Sequence, residues 1–85
     1  MNEDEKIFFE RNKLAKKVLY MLKDKEFRAV PLSKELNKHR PEISRTLKKL
    51  KDKGYVECTK PESPNYRPYK ITKKGKSRLK ELFTL

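Results

Sequence analysis

The chain has no tryptophan, no glutamine, one cysteine, one histidine and two glycines in 85 residues. Each shortage excludes a kind of chemistry. A lone Cys58 forms no internal disulfide, and with His39 as the single histidine it cannot build a metal site. Gly54 and Gly75 stand too far apart for a glycine-rich phosphate cradle. No apolar run approaches the ~18 residues of a membrane span, and the opening MNEDEK lacks the apolar core of a secretion signal. No nucleophile–base pair and no paired catalytic carboxylates can be assembled. The sequence therefore predicts a cytoplasmic, intracellular protein that is not an enzyme and uses no cofactor and no metal.

What the chain has is charge of one sign. Lys and Arg total 24 against 12 Asp and Glu, a formal net charge of +12. Only 34% of residues are hydrophobic, and a chain this short buries little more than ~60% of its unfolded surface. One modest core in a single domain, 1–85, is the expectation. A surplus this large implies a polyanionic partner, nucleic acid before an anionic membrane. The surplus is uneven. Residues 1–27 carry seven basic and six acidic side chains, 28–54 nine and three, and 55–85 eight and three. The first segment is nearly neutral, so its task differs from that of the other two.

From Asp4 to about Lys23 the residues Ile7, Phe8, Leu14, Ala15, Val18, Leu19 and Leu22 recur at helical spacing, with Arg11 interrupting the stripe. One helix or two shorter ones fit this pattern within residues 1–26. Asn2 and the acidic Glu3, Asp4 and Glu5 suit a helix start. Pro31 suits the first position of a short second helix carrying Leu32 and Leu36, which Asn37 ends. Arg40, Pro41 and Glu42 open a third helix with the core stripe Ile43, Leu47 and Leu50, stopped by Gly54. Residues 55–59 and 67–72 alternate as strands around a turn-rich loop, predicting a hairpin over 55–72. Thr72 is placed to cap a last helix over 73–85, with Leu79, Leu82 and Phe83 on one face.

Helix, short strand, helix, turn, helix, hairpin, helix is the order of an α+β winged helix-turn-helix. The strings LSKELNKHRPEISRTLKKLKDKGYVE (Leu32 to Glu57) and YKITKKG (Tyr69 to Gly75) resemble the DNA-binding domains of MarR and ArsR transcription regulators, in particular their small archaeal relatives. The resemblance spans about residues 14–83. Ser33 fills the place of the small residue between two leucines of the second helix. Ile43, Ser44 and Arg45 match the Val-Ser-Arg of the recognition helix. Leu47, Leu50, Lys53, Gly54, Tyr55 and Val56 match its ending, and Tyr69, Ile71, Thr72 and Gly75 the segment after the wing. Lys38 and His39 depart from the pattern, where an apolar residue and a Ser, Thr or Asp cap are usual. Nothing matches the further helices that bind effectors, so no small-molecule ligand is expected.

The resemblance implies a sequence-specific double-stranded DNA-binding regulator, a repressor acting on the nucleoid. The helix at 40–53 would enter the major groove, reading bases with its N-terminal half. Arg45 suits a bidentate contact to guanine, and Glu42 either accepts from cytosine or orients Arg45. Arg40, Ser44 and Lys49 complete the expected base-reading set. Phosphate and wing contacts fall to Arg28, Lys34, Lys48, Lys60, Asn65, Tyr66, Arg67 and Lys73, with Lys74 and Lys76 beside the last. His39 reads as a polar turn residue and Cys58 as a small core residue. Phe9 and Tyr20, about three turns apart on the outer face of the first helix, predict a homodimer surface that Phe83 and Leu85 join. Two rivals remain open at this point: a backbone-only nucleic-acid or architectural binder, and a protein-interaction subunit of a transcription or replication assembly.

Overall fold

Asn2 opens the first helix with a reciprocal cap: its side chain accepts from the Glu5 amide at 2.9 Å, and the Glu5 carboxylate accepts from the Asn2 amide at 3.3 Å. The structure is a computed structural model and describes residues 1–83, so Leu85 lies outside the described residues. The first helix, α1 (Glu3–Arg11), stops at Asn12, and α2 (Lys13–Met21) begins directly after it. Segment 1–26 thus holds two helices rather than one. Asn12 makes the break. Its backbone and side-chain nitrogens both donate to the Phe8 carbonyl, at 2.9 and 2.8 Å, while its own carbonyl accepts from Ala15. Such local bonds let asparagine compete with the helix ladder.

The second helical pair follows the same capping logic. Helix α3 (Ala29–Leu36) starts two residues earlier than Pro31 suggested, which puts the proline third. That position is still within the first turn, where its missing N–H leaves no bond unmade. Asn37 is left-handed at φ 53, and the Lys38 amide reaches back to the Ser33 carbonyl at 2.9 Å. Helix α4 (Arg40–Asp52) ends the same way: Gly54 has φ 83, and the Tyr55 amide donates to the Leu50 carbonyl at 2.9 Å.

The wing is an antiparallel pair, β1 (Val56–Cys58) and β2 (Tyr69–Ile71), with Val56 opposite Ile71 and Cys58 opposite Tyr69. Its strands are shorter than the run 55–72 suggested. The short strand expected before the second helix reduces to one bridge, in which Phe27 and Tyr69 exchange backbone bonds of 3.1 and 2.8 Å. Cys58 is half-buried in this pair rather than in the core. Helix α5 (Lys73–Leu82) is capped as expected, the Thr72 hydroxyl accepting from the Gly75 amide at 3.0 Å. No helix of the described residues is long and apolar enough to cross a membrane.

The core lies where α2, α3 and α4 cross, and Val18, Leu19, Leu32, Ile43, Leu47 and Leu50 are all essentially inaccessible there. Each contributes about 1.5–3 kcal/mol by leaving water. Phe9 belongs to this core rather than to a surface. It is 4% exposed, with its ring 5.0 Å from Phe8 and 5.3 Å from Tyr55. The break at Asn12 re-phases α1 so that both phenylalanines turn inward, and Ile7 is exposed instead.

One polar cluster ties the two ends of the fold together. A single Glu5 carboxylate oxygen accepts from Arg78 at 2.5 Å and from the Tyr55 hydroxyl at 2.6 Å. The Arg78 bond first, and the Tyr55 bond second, hold the Glu5 carboxyl at about 2, against an ordinary value of 4.5. Burial and the Glu5 charge push the Tyr55 hydroxyl the other way, upward. Because the folded carboxyl is depressed, its stabilisation is present above pH 4.5 and disappears as the pH falls towards 2. The Glu5→Gln variant should therefore be less stable at pH 7 by about 2 kcal/mol, and equal to the parent near pH 2. Urea unfolding at the two pH values checks this, and an equal deficit at both would show that Glu5 acts through packing rather than charge.

Candidate nucleic-acid interface

Helices α3 and α4 are separated by Asn37, Lys38 and His39 alone, and this short turn fixes how α4 is presented. Ile43, Thr46, Leu47 and Leu50 anchor its inner face, with the Thr46 hydroxyl donating to the Glu42 carbonyl at 2.8 Å. The outer face is left to Arg40, Pro41, Ser44, Arg45 and Lys48, all exposed. His39, the residue before α4, makes no side-chain cap, and Lys38 and His39 are both exposed. The turn is made by the left-handed Asn37 rather than by a side-chain cap at His39.

The expected base-reading residues divide. Arg40, Ser44 and Arg45 share one exposed stretch near the start of α4. Glu42 is half-buried and forms no ion pair with Arg45 among the described residues. Lys49 sits on the flank of α4 that faces the α1–α2 break, where its ammonium donates to the Asn12 side-chain oxygen at 3.1 Å. It links α4 to the body. Lys48 stands on the exposed face with a loose 3.7 Å contact to Asp52, one turn on, a pairing of little energetic weight.

The wing residues divide too. Lys60, Asn65 and Tyr66 are exposed at the loop. Arg67 is not free at the tip: its guanidinium donates to the Pro61 and Ser63 carbonyls, at 3.0 and 3.2 Å, and so braces the loop from inside. The tip cation comes instead from Arg28, whose guanidinium lies 5.2 Å over the Tyr66 ring. Arg28, at the start of α3, is thereby brought beside the wing. Lys34 and Lys73 are exposed.

Lys74 has a structural task that its place in a lysine run concealed. Its ammonium donates to the Lys53 carbonyl at 2.9 Å, at the C-terminal end of α4, where a cation complements the helix dipole. The Thr72 hydroxyl donates to the Gly54 carbonyl at 2.7 Å, and the Thr72 amide to the Tyr55 carbonyl at 3.0 Å. The two motif strings, around Gly54 and around Gly75, are therefore halves of one joint. That joint fixes the end of α4 against the wing.

Of the expected dimer residues, Tyr20 and Phe83 are on the surface, 43% and 46% exposed, with rings 5.1 Å apart. Phe9, as described, is inside. No curated protein and no solved structure matches the chain. Residues 15–72, more than half the chain, match the family model described as "Sugar-specific transcriptional regulator TrmB". The match covers α2 to the end of the wing, the region that presents α4 and its flanking loop. It names TrmB, and not the MarR and ArsR groups to which the motif strings are similar. The winged helix-turn-helix built around α4 and the family match agree: the chain belongs to the TrmB family and is a DNA-binding transcriptional regulator.

Proposed function

We propose that the chain reads specific sequences of double-stranded DNA by inserting α4 into the major groove, and that it acts as a repressor by occluding its site. The observation that carries this reading is the exposed stretch Arg40, Ser44 and Arg45 on a helix locked from behind by Ile43, Leu47 and Leu50. An arginine on a rigid helix is suited to the paired acceptors of guanine. The wing loop would lie alongside, with Arg28 and Lys60 near the backbone or minor groove. Lys34, Lys48 and Lys73 would meet phosphates, which position the protein without specifying sequence. Such a regulator acts inside the cell, on the nucleoid.

The reading further holds that two copies bind together on one site. Twofold symmetry then sets the recognition helices one DNA turn apart, about 34 Å. Selection from a randomised duplex library at about 150 mM salt tests the whole reading, since non-specific binding weakens there. The expected outcome is an inverted repeat with half-sites one turn apart. A single enriched half-site would remove the dimer and keep base reading. Retention without enrichment would instead identify a binder of backbone alone.

A further inference from the structure

The nearly neutral first segment is not featureless. A groove of about 890 Å³ runs between α1, α2 and α5, lined at its base by Phe9, Met21 and Leu82 and along one wall by the Tyr20–Phe83 pair. Four lysines, Lys6, Lys13, Lys16 and Lys17, line it against two glutamates, Glu10 and Glu81. Glu81 is already engaged, by the Met1 amino group at 2.8 Å and by Arg78 at 3.7 Å. Lys16 rests 4.6 Å over the Phe83 ring, while Lys6, Lys13 and Lys17 meet no carboxylate among the described residues.

From the apolar base and the cationic rim we infer that this groove docks an acidic amphipathic helix of a partner protein. A helix laid in a groove anchors with apolar side chains at i, i+3 or i+4, and i+7. Acidic residues flanking that stripe meet the lysines on either side and offset their desolvation. A second copy is a poor occupant, since each copy carries +12 and would set the same lysines against its own. DNA is a poor occupant as well, because an apolar base offers nothing to phosphate. Lys13, Lys17 and Tyr20 project from the side of α2 opposite its buried residues Ala15, Val18 and Leu19. As α2 packs on α4, the groove and the recognition helix face different ways, and both can be filled at once. The inference goes beyond DNA recognition and does not depend on which bases α4 reads.

Fluorescence anisotropy with two synthetic helical peptides of about 15 residues tests it. Both carry leucines at i, i+3, i+4 and i+7; one has glutamates at the flanking positions, its twin lysines. The acidic peptide should bind at least about ten-fold more tightly than the twin. Replacing both rim lysines, Lys13→Glu with Lys17→Glu, should reverse that preference, and an equimolar duplex should not displace the acidic peptide. Equal binding of the two peptides, binding of neither, or displacement by duplex would each overturn the inference. A chain that self-associates in sedimentation equilibrium while binding neither peptide would assign the groove to a second copy. DNA selection by the double variant separates this test from the DNA reading, since enrichment of the same site can persist whatever the peptides do.

Discussion

Gly75→Ala is expected to cost the fold about 3 kcal/mol, lowering the melting temperature by roughly 10 °C or more. The reason is space. A Cβ at Gly75 would lie 2.1 Å from the Tyr55 carbonyl oxygen and 2.7 Å from the Ile71 side chain. The first of these is backbone, fixed by the bond it accepts from the Thr72 amide at 3.0 Å, so it cannot swing aside. Alanine's better helix propensity, about 1 kcal/mol over glycine, offsets only a fraction. A domain of this size has about 4–13 kcal/mol of stability in total, at about 0.05–0.15 kcal/mol per residue. Gly54→Ala makes the informative control. There the nearest atom to an added Cβ is a lysine side-chain carbon at 3.7 Å, and the cost comes from φ 83 alone, about 1–2 kcal/mol. Urea unfolding of both variants gives the comparison. If Gly75→Ala proves as mild as Gly54→Ala, the joint between α5 and the end of α4 is looser than its geometry indicates.

Arg45→Ala is expected to lower affinity for the selected DNA site about ten-fold to a hundred-fold, with little change on an unrelated duplex. Arg45 is exposed at the middle of the outer face and forms no ion pair among the described residues, so its loss should leave the fold unaltered. Lys48→Ala serves as the contrast. If it meets phosphate, its loss should weaken all sequences alike and reduce the salt slope by about one. Binding isotherms on both duplexes at several salt concentrations distinguish the two behaviours. A uniform loss for Arg45→Ala would make it a phosphate contact and move base reading to Arg40 or Ser44.

These two residues had unequal visibility in the sequence. Arg45 followed from the stripe Ile43, Leu47 and Leu50, which fixes by period alone which side of α4 faces outward. Gly75 was marked only as part of a familiar string. What requires a glycine there is the Tyr55 carbonyl, twenty residues earlier in the chain, and no local pattern reports such an approach. Arg67 illustrates the same limit. A cation at a loop tip reads as a nucleic-acid contact, yet the carbonyls of Pro61 and Ser63 converge on it once the loop closes. Lys49 likewise finds Asn12, thirty-seven residues away.

The sequence by itself determined the element order from α3 onward, the inner face of α4, the stops at Asn37 and Gly54 and the start at Thr72. Those depend on backbone conformation, capping and hydrophobic period, which act over a few residues. Tertiary structure alone decided that Phe9 is core, that Arg28 stacks on Tyr66 beside the wing while Arg67 braces the loop, and that Glu5 joins Tyr55 and Arg78. In each case the outcome turns on a partner brought from a distant segment. A side chain's own chemistry says what it can bind, while packing selects which of the available partners it meets.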